Sequence, residues 1–337
     1  MISLAYSLIT NEVRKNVNTC LDENRLSQGG FIKEFEDKVA KYIGAKHAMA
    51  VCNGTMADIV ALAALRQRNP FKTEVIVPAL TFVAQTNSVL INGLTPVFVD
   101  IGEDLQIDIN KIKEKITRNT LAIFPVHLLG KECNIEAIKQ FNLPVIEDCC
   151  EAFGVWEKSE FGTYSFFPSH TITTGEGGMI ITNDDLLAEF ARKIMNHGRR
   201  SDNILEKFHF DFLGYNGKMS NVLASIGSAL MPLADEIIEQ RKRNVEIYNQ
   251  IIGGDWYAVS PHAYPYFYRN SKLRDETLIR LEENGIEARK LFSCLPTKEY
   301  GLKGDYPIAE EVGGNGLFLP IHQGLTLEDI KKVTLLL

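Results

Sequence analysis

What most constrains the fold of this chain is an alternation. Short runs rich in β-branched and aromatic residues recur at EVIVP (74–78), PVFVDI (96–101), LAIFPVH (121–127), LPVIEDC (143–149), YSFF (164–167) and GMIITND (178–184). Helical patterns such as NIEAIKQF and DLLAEFARKIMN lie between or after them. Strands that alternate with helices read as an α/β layout with a mostly parallel central sheet. Ahead of the first run, residues 32–43 place Ile32, Phe35, Val39, Tyr42 and Ile43 at helical spacing, and TMADIVALAALRQ reads as a helix that opens after Gly54. After about residue 235 the texture changes to a long charged helix, DEIIEQRKRNVEIYNQII, and then to FYRNSKLRDETLIRLEENGIEARKL, a strand and a helix. The spacing predicts a large domain over 1–235 and a smaller α+β domain over 236–337, with the boundary inside the long helix.

With 337 residues, 45% hydrophobic and 23% charged, the chain is expected to be ordered throughout, around an ample core. The formal net charge of −7 comes without a dense Lys/Arg cluster, which argues against binding to nucleic acid or to an anionic membrane. The six cysteines follow no CxxC or other metal spacing, so reduced thiols and no metal site are expected. The first residues, MISLAYSLITNEVRKN, lack a basic start followed by an apolar run, and no stretch approaches ~18 uninterrupted apolar residues. A cytoplasmic location is the expectation.

In a parallel sheet, ligands gather where strands end. The ends here are chemically loaded at Pro78–Thr81, Asp100, His127, Glu147–Asp148 and around His170. In VCNGTMADIVAL, Gly54 and Thr55 start a helix, where free amides, a hydroxyl and the positive dipole end suit a phosphate; plain helix capping is the other reading. In LPVIEDCCEAFG, Asp148 ends an apolar strand and offers a carboxylate to a pyridine nitrogen, or else a simple cap or ion pair. In PALTFVAQTNSVL, Phe82 follows a strand and offers a face for a flat heterocycle, or else belongs to the core. The fourth piece is YSFFPSHTITTGEGG, with Ser165 at a strand end, a turn at Pro168, and His170.

Together these motifs resemble the DegT/DnrJ/EryC1/StrS sugar aminotransferase family of fold-type I pyridoxal phosphate enzymes. FIKEFEDKVAKYIGAKHAMAVCNGT, VPALTFVAQTNSVLINGLTPVFVDI, IEDCCEAFG, GYNGKMSNVLASIG and GNGLFLPIHQGLTLEDI occur in the family's order over nearly the whole chain. The resemblance implies a phosphate cup at Gly54, Thr55 and Met56 with Ser165 beside it, ring stacking by Phe82, and pairing of Asp148 with the pyridine nitrogen. It puts Glu151 near the ring hydroxyl. It further implies a homodimer with shared active sites, in which Asn216 reaches the phosphate of the neighbouring subunit's cofactor.

The family's aminotransferases carry a Schiff-base lysine at the position that is His170 here. An imidazole cannot form that bond but remains a competent proton shuttle. One branch of the family, the 3-dehydratases of 4-keto-6-deoxy nucleotide sugars, carries a histidine there and uses pyridoxamine phosphate bound without a covalent tether. The resemblance therefore implies C3 deoxygenation of a nucleotide-linked keto sugar, with His170 and Asp148 catalytic. Two other readings stay open. One is an aminotransferase, with glutamate as candidate amino donor, whose lysine has been replaced; the other is an idle homologue that only binds cofactor or sugar. The cysteines do not match the iron–sulfur ligand set of the CDP-sugar 3-dehydrase. The segment between Gly154 and Ser165 is shorter than is usual in the family, and Arg289 and Lys290 are candidate partners for the nucleotide's phosphates or plain surface charges.

Overall fold

The computed structural model describes residues 1–201, 203 and 205–337. Its large sheet is built from β1 (His47–Val51), β2 (Glu74–Pro78), β3 (Thr95–Val99), β4 (Thr120–Ile123), β5 (Ile146–Asp148), β6 (Phe161–Ser165) and β7 (Gly178–Thr182). β2 lies between β3 and β4 and is parallel to both. β5 and β6 are parallel, whereas β7 runs antiparallel to β6 and to β1. Parallel bridges Ile123↔Val145 and Val126↔Asp148 join the two groups, which gives the order β3-β2-β4-β5-β6-β7-β1.

Only β7 is reversed, and that reversal matters for the site. It pairs Gly178, the first residue of β7, with Ser165 at the end of β6 and with Val51 at the end of β1. The ends of β1, β5 and β6 and the start of β7 therefore share one edge. The expected YSFF strand stops at Ser165, and Phe167 is exposed in the loop beyond. β1 supplies the strand whose end alone was legible as VCNGT.

The strands are buried almost throughout because helices cover both faces. The helix Gly54–Arg68 buries every residue from Ala57 to Leu65, an all-apolar surround broken by one carboxylate, Asp58. Phe35 and Val39, spaced for one helical face, pack with Phe153, Tyr164 and Phe166 on the other side. The long charged helix spans Ala234–Ile252 and ends on Gly253 at φ 71. It continues from the helix Asn221–Leu230 through a tight turn at Met231–Leu233. That combined run contains a window apolar and long enough to cross a membrane, of which 61% is buried inside the protein. Polar residues interrupt its apolar ones, so no uninterrupted apolar run marks it in the sequence.

Beyond the long helix stands a smaller antiparallel sheet of β8 (Tyr264–Phe267), β9 (Arg289–Lys290) and β10 (Gly316–Leu319), in the order β8-β10-β9. The helices Ser271–Glu283 and Leu327–Thr334 accompany it. The first residues of the chain fasten to this part: Ile2 bridges to Ile286 and the Ser3 hydroxyl donates to Glu287 Oε2 at 2.8 Å.

Candidate active site

At the shared sheet edge the backbone of three segments converges so tightly that side chains are excluded. A Cβ on Gly54 would sit 2.8 Å from Ser165 Cβ and 3.0 Å from Cys150 Sγ, and one on Gly178 would sit 2.3 Å from the Asn53 carbonyl oxygen. Asn53 caps the helix that follows, its Oδ1 accepting from the Met56 amide at 2.8 Å. The Gly54 and Thr55 amides head the first turn, where no preceding turn supplies carbonyls. The result is a compact anion cradle.

Gly54, Thr55, Phe82, Asp148, Glu151, Ser165 and His170 all line one cavity of about 420 Å³. Two expected site residues do not line it. The Met56 amide is already taken by Asn53, and Asn216 is exposed, with its Oδ1 accepting from Lys218 at 3.0 Å. Arg289 is on the wall, 55% exposed and paired with Glu287 at 2.8 Å. Its neighbour Lys290 pairs with Asp275 at 2.9 Å.

The wall also carries residues the motifs did not assign: Asp58, Thr81, Gln85, Glu176 and His262. Asp58 had a signal, as a lone carboxylate inside an apolar helix. Thr81 stood beside Phe82 in a segment already singled out. His262 gave none, because tertiary structure alone brings it in, its ring centroid 4.8 Å from that of His170.

Charge in the cavity is unusual. Asp58 and Asp148 are buried, and their oxygens lie with Cys150 Sγ within 4.8 Å of one another. Burial holds both carboxyls above the usual range. Repulsion from Asp148 adds to the effect at Asp58, while the Cys150 amide, donating to Asp148 Oδ1 at 3.0 Å, and His127 oppose it at Asp148. Burial likewise pushes the Glu151 carboxyl up to about 8, although its Oε2 accepts from the Leu129 amide at 2.6 Å. Burial and then the charge of Arg241 push the His170 imidazole down to about 3.

A second buried cluster, His127, Glu147 and Cys149, lies behind the wall. Cysteine spacing gave no hint of it. His127 Nε2 meets Glu147 Oε2 at 3.0 Å, and Glu147 also accepts from the amides of Glu157 and Ser159. Burial alone would raise the Glu147 carboxyl, but these partners outweigh it and hold it low. His127 Nδ1 is spent on the Cys133 amide at 3.0 Å, so the group is a closed structural network.

The sequence profile of the DegT/DnrJ/EryC1/StrS aminotransferase family matches residues 7–337. The chain belongs to that family. It is 38% identical over 361 residues to GDP-perosamine synthase of Caulobacter vibrioides, covering 98% of this chain and 96% of the relative. To GDP-4-keto-6-deoxy-D-mannose 3-dehydratase of Yersinia pseudotuberculosis it is 30% identical over 365 residues, covering 94% and 93%. E. coli GDP-4-keto-6-deoxy-D-mannose-3-dehydratase with bound hydrated PLP matches the fold with a TM-score of 0.91 at 26% identity, over 100% of this chain and 99% of that one. Another structure of a dehydratase of that name, with a trapped PLP-glutamate geminal diamine, gives 0.90 at 26% over 100% of both chains. The fold is thus fold-type I, and family membership makes the chain an enzyme that works with pyridoxal or pyridoxamine phosphate.

The residues present fit that cofactor. Thr81 Oγ1, Gln85 Oε1 and His170 Nδ1 are buried without a hydrogen-bond partner, although each residue lines the cavity. Such orphans call for an occupant. A pyridinium ring would supply the cation that Asp58 and Asp148 lack. The Phe82 ring, 56% exposed at the head of the helix Val83–Ile91, is left open for stacking.

Proposed function

We propose that this enzyme removes the C3 hydroxyl of a 4-keto-6-deoxy nucleotide sugar, with a GDP-linked sugar the first candidate and His170 as the acid/base. One observation carries the reading: the loop after β6 presents an imidazole to the cavity, and among the described residues no lysine lines it. Pyridoxamine phosphate, when bound, supplies an amine for the C4 ketone and a ring that takes up electron density. The Gly54 and Thr55 amides and the Ser165 hydroxyl would hold its phosphate, Phe82 would cover the ring, and Asp148 would keep the pyridine nitrogen protonated. Neutral His170 would take the proton at the C4′ carbon and return it to the departing C3 hydroxyl, which would leave as water. Cofactor binding belongs to residues 1–235, and the sugar nucleotide enters between this part and residues 236–337, where Arg289 meets its phosphates. We place the enzyme in the cytoplasm as a homodimer in which Asn216 extends to the phosphate site of a second copy.

A second reading has its own support. GDP-perosamine synthases, at 36% and 38% identity, are nearer in sequence than the dehydratase at 30%. On that reading glutamate donates an amine to C4 of the keto sugar. Product analysis separates the two. The purified protein is incubated with pyridoxal phosphate, glutamate and GDP-4-keto-6-deoxymannose, and the sugars are resolved by chromatography and mass. A deoxygenated keto sugar is the expected product. An amino sugar that retains its C3 hydroxyl, with no deoxygenated product, overturns the dehydration reading.

A further inference from the structure

The cation nearest His170 does not come from the large sheet. It is Arg241, on the helix Ala234–Ile252, and it is 1% exposed. Its Nη2 donates to the carbonyls of Ser169 and His170, both at 3.0 Å. Its Nη1 donates to the carbonyl of His262 at 3.1 Å and, at 3.5 Å, to that of Pro261. No carboxylate among the described residues forms an ion pair with it. One guanidinium therefore ties together the loop after β6 and the segment leading into β8. These are the two stretches that bring the His170 and His262 rings to 4.8 Å.

We propose that Arg241 is a positioning residue that fixes His170 against His262 and keeps both imidazoles neutral. The proposal rests on the reading of His170 as the acid/base. The two terminal nitrogens of this guanidinium donate to carbonyls while Nε is buried without a partner, and although burial lowers the group to about 10 it remains a cation near neutral pH, because dipoles solvate an ion without neutralising it. A proton on either imidazole would put a second cation in the same enclosed space, at a cost that grows as the local dielectric falls.

The neighbouring charges are consistent with this. From the loop after β5, Glu151 places Oε1 3.9 Å from His262 Nε2, but its own carboxyl is held up to about 8 and is neutral at pH 7. Asp148 on β5 and Glu176 in the glycine-rich bend face the same cavity, and Arg289 on β9 adds a second positive charge. His262 is pushed down by burial, then by His170, Arg241 and Arg289. The consequence is functional. An ordinary histidine is partly protonated near neutral pH, whereas burial and then the charge of Arg241 shift this one toward the free base.

The test is an NMR titration of the histidine ring resonances in the full-length protein, without substrate, with His170→Asn and His262→Asn used for assignment. In the native protein the His170 midpoint is expected below about pH 5. Arg241→Gln keeps donors but loses the charge, and should raise the His170 and His262 midpoints by about one pH unit or more, a tenfold change in proton affinity. Arg241→Lys keeps the charge and should leave them low. His47, which pairs with Asp185 at the far end of β1, should not move in either variant. A native His170 midpoint near the ordinary value overturns the proposal even if no variant folds. So does an Arg241→Gln midpoint that stays put, or an Arg241→Lys midpoint that rises as far as that of the glutamine variant. None of these readings involves turnover, so they stand or fall separately from the assignment of the reaction.

Discussion

Asp58, from the helix that heads the phosphate cradle, and Asp148, from the end of β5, point buried carboxylates into one space less than 4.8 Å across. Thr163 donates to Asp58 Oδ1 at 2.7 Å and the Cys150 amide to Asp148 Oδ1 at 3.0 Å, so each carboxylate has a single strong partner. Two like charges this close do not both ionise without a cation between or beside them. On the proposed reading, a pyridinium nitrogen at Asp148 would resolve the conflict. Asp148→Asn should therefore slow turnover about a hundredfold or more, while the cofactor dissociation constant moves by less than about tenfold. Parallel measurement of turnover and of cofactor binding by absorbance checks this. Turnover unchanged in the asparagine variant would show that the carboxylate only supports the fold.

The elevated Glu151 carboxyl makes a prediction about stability against pH. Its folded-state value of about 8 lies above the ordinary 4.5, so the native protein holds a proton that the unfolded chain has lost. The associated stability is full below about pH 4.5 and drains away as pH rises through about 8. Glu151→Gln mimics the protonated form and keeps an acceptor for the Leu129 amide. Relative to the native protein it should melt higher at pH 8.5 than at pH 5, by a difference on the order of a few degrees. Thermal melts of both proteins at the two pH values are the measurement, and a difference that does not change with pH would place the proton elsewhere.

What could be read from the sequence, and what could not, follows from the range of the interactions. The strand runs were legible because fully buried parallel strands are written as continuous apolar stretches, and the site residues Gly54, Asp148 and Ser165 because they stand where those stretches stop. Phe82 was legible for the same reason. Arg241 was not. In EQRKRNVE it looks like any cation on a solvated helix, and only its packing against carbonyls 71 residues away shows otherwise. His262 lacked a signal because its partners Glu151 and His170 are set by how the two parts of the chain meet. The resemblance puts Met56 in the phosphate cup, whereas its amide donates to Asn53 Oδ1, a local capping effect visible in NGT.

The buried pair of His127 and Glu147 should matter for stability more than for chemistry. Glu147 serves the His127 ring and the amides of Glu157 and Ser159 with both oxygens buried. Truncation leaves those donors without acceptors in a closed space. Glu147→Ala should cost about 3 kcal/mol, because buried donors that lose a charged acceptor pay their desolvation penalty without return. Denaturant unfolding of the apoprotein measures it, and a loss under about 1 kcal/mol would mean that water reaches the network.

The sharpest prediction concerns His170→Lys. The residue sits in the loop after β6, with its carbonyl held by Arg241 and its Nδ1 without a partner, so a longer amine in its place enters the same cavity. That amine would lie beside the cradle proposed for the cofactor's phosphate and should capture pyridoxal phosphate covalently. The expected sign is new visible absorbance that survives dialysis and becomes a fixed adduct on borohydride treatment. In the native protein denaturation should release all of the cofactor, and borohydride should leave no adduct on any lysine. The consequences for turnover then divide the two enzyme readings. If His170 is the native acid/base, the lysine variant dehydrates poorly, because its amine competes with the substrate for the aldehyde. If the position is a lost aminotransferase lysine, the same variant transfers an amino group from glutamate to the keto sugar briskly, while the histidine form does so slowly at best and does not dehydrate. Both products are to be assayed for both proteins, and brisk transamination by His170→Lys together with no dehydration by the native chain would overturn the role proposed for the histidine.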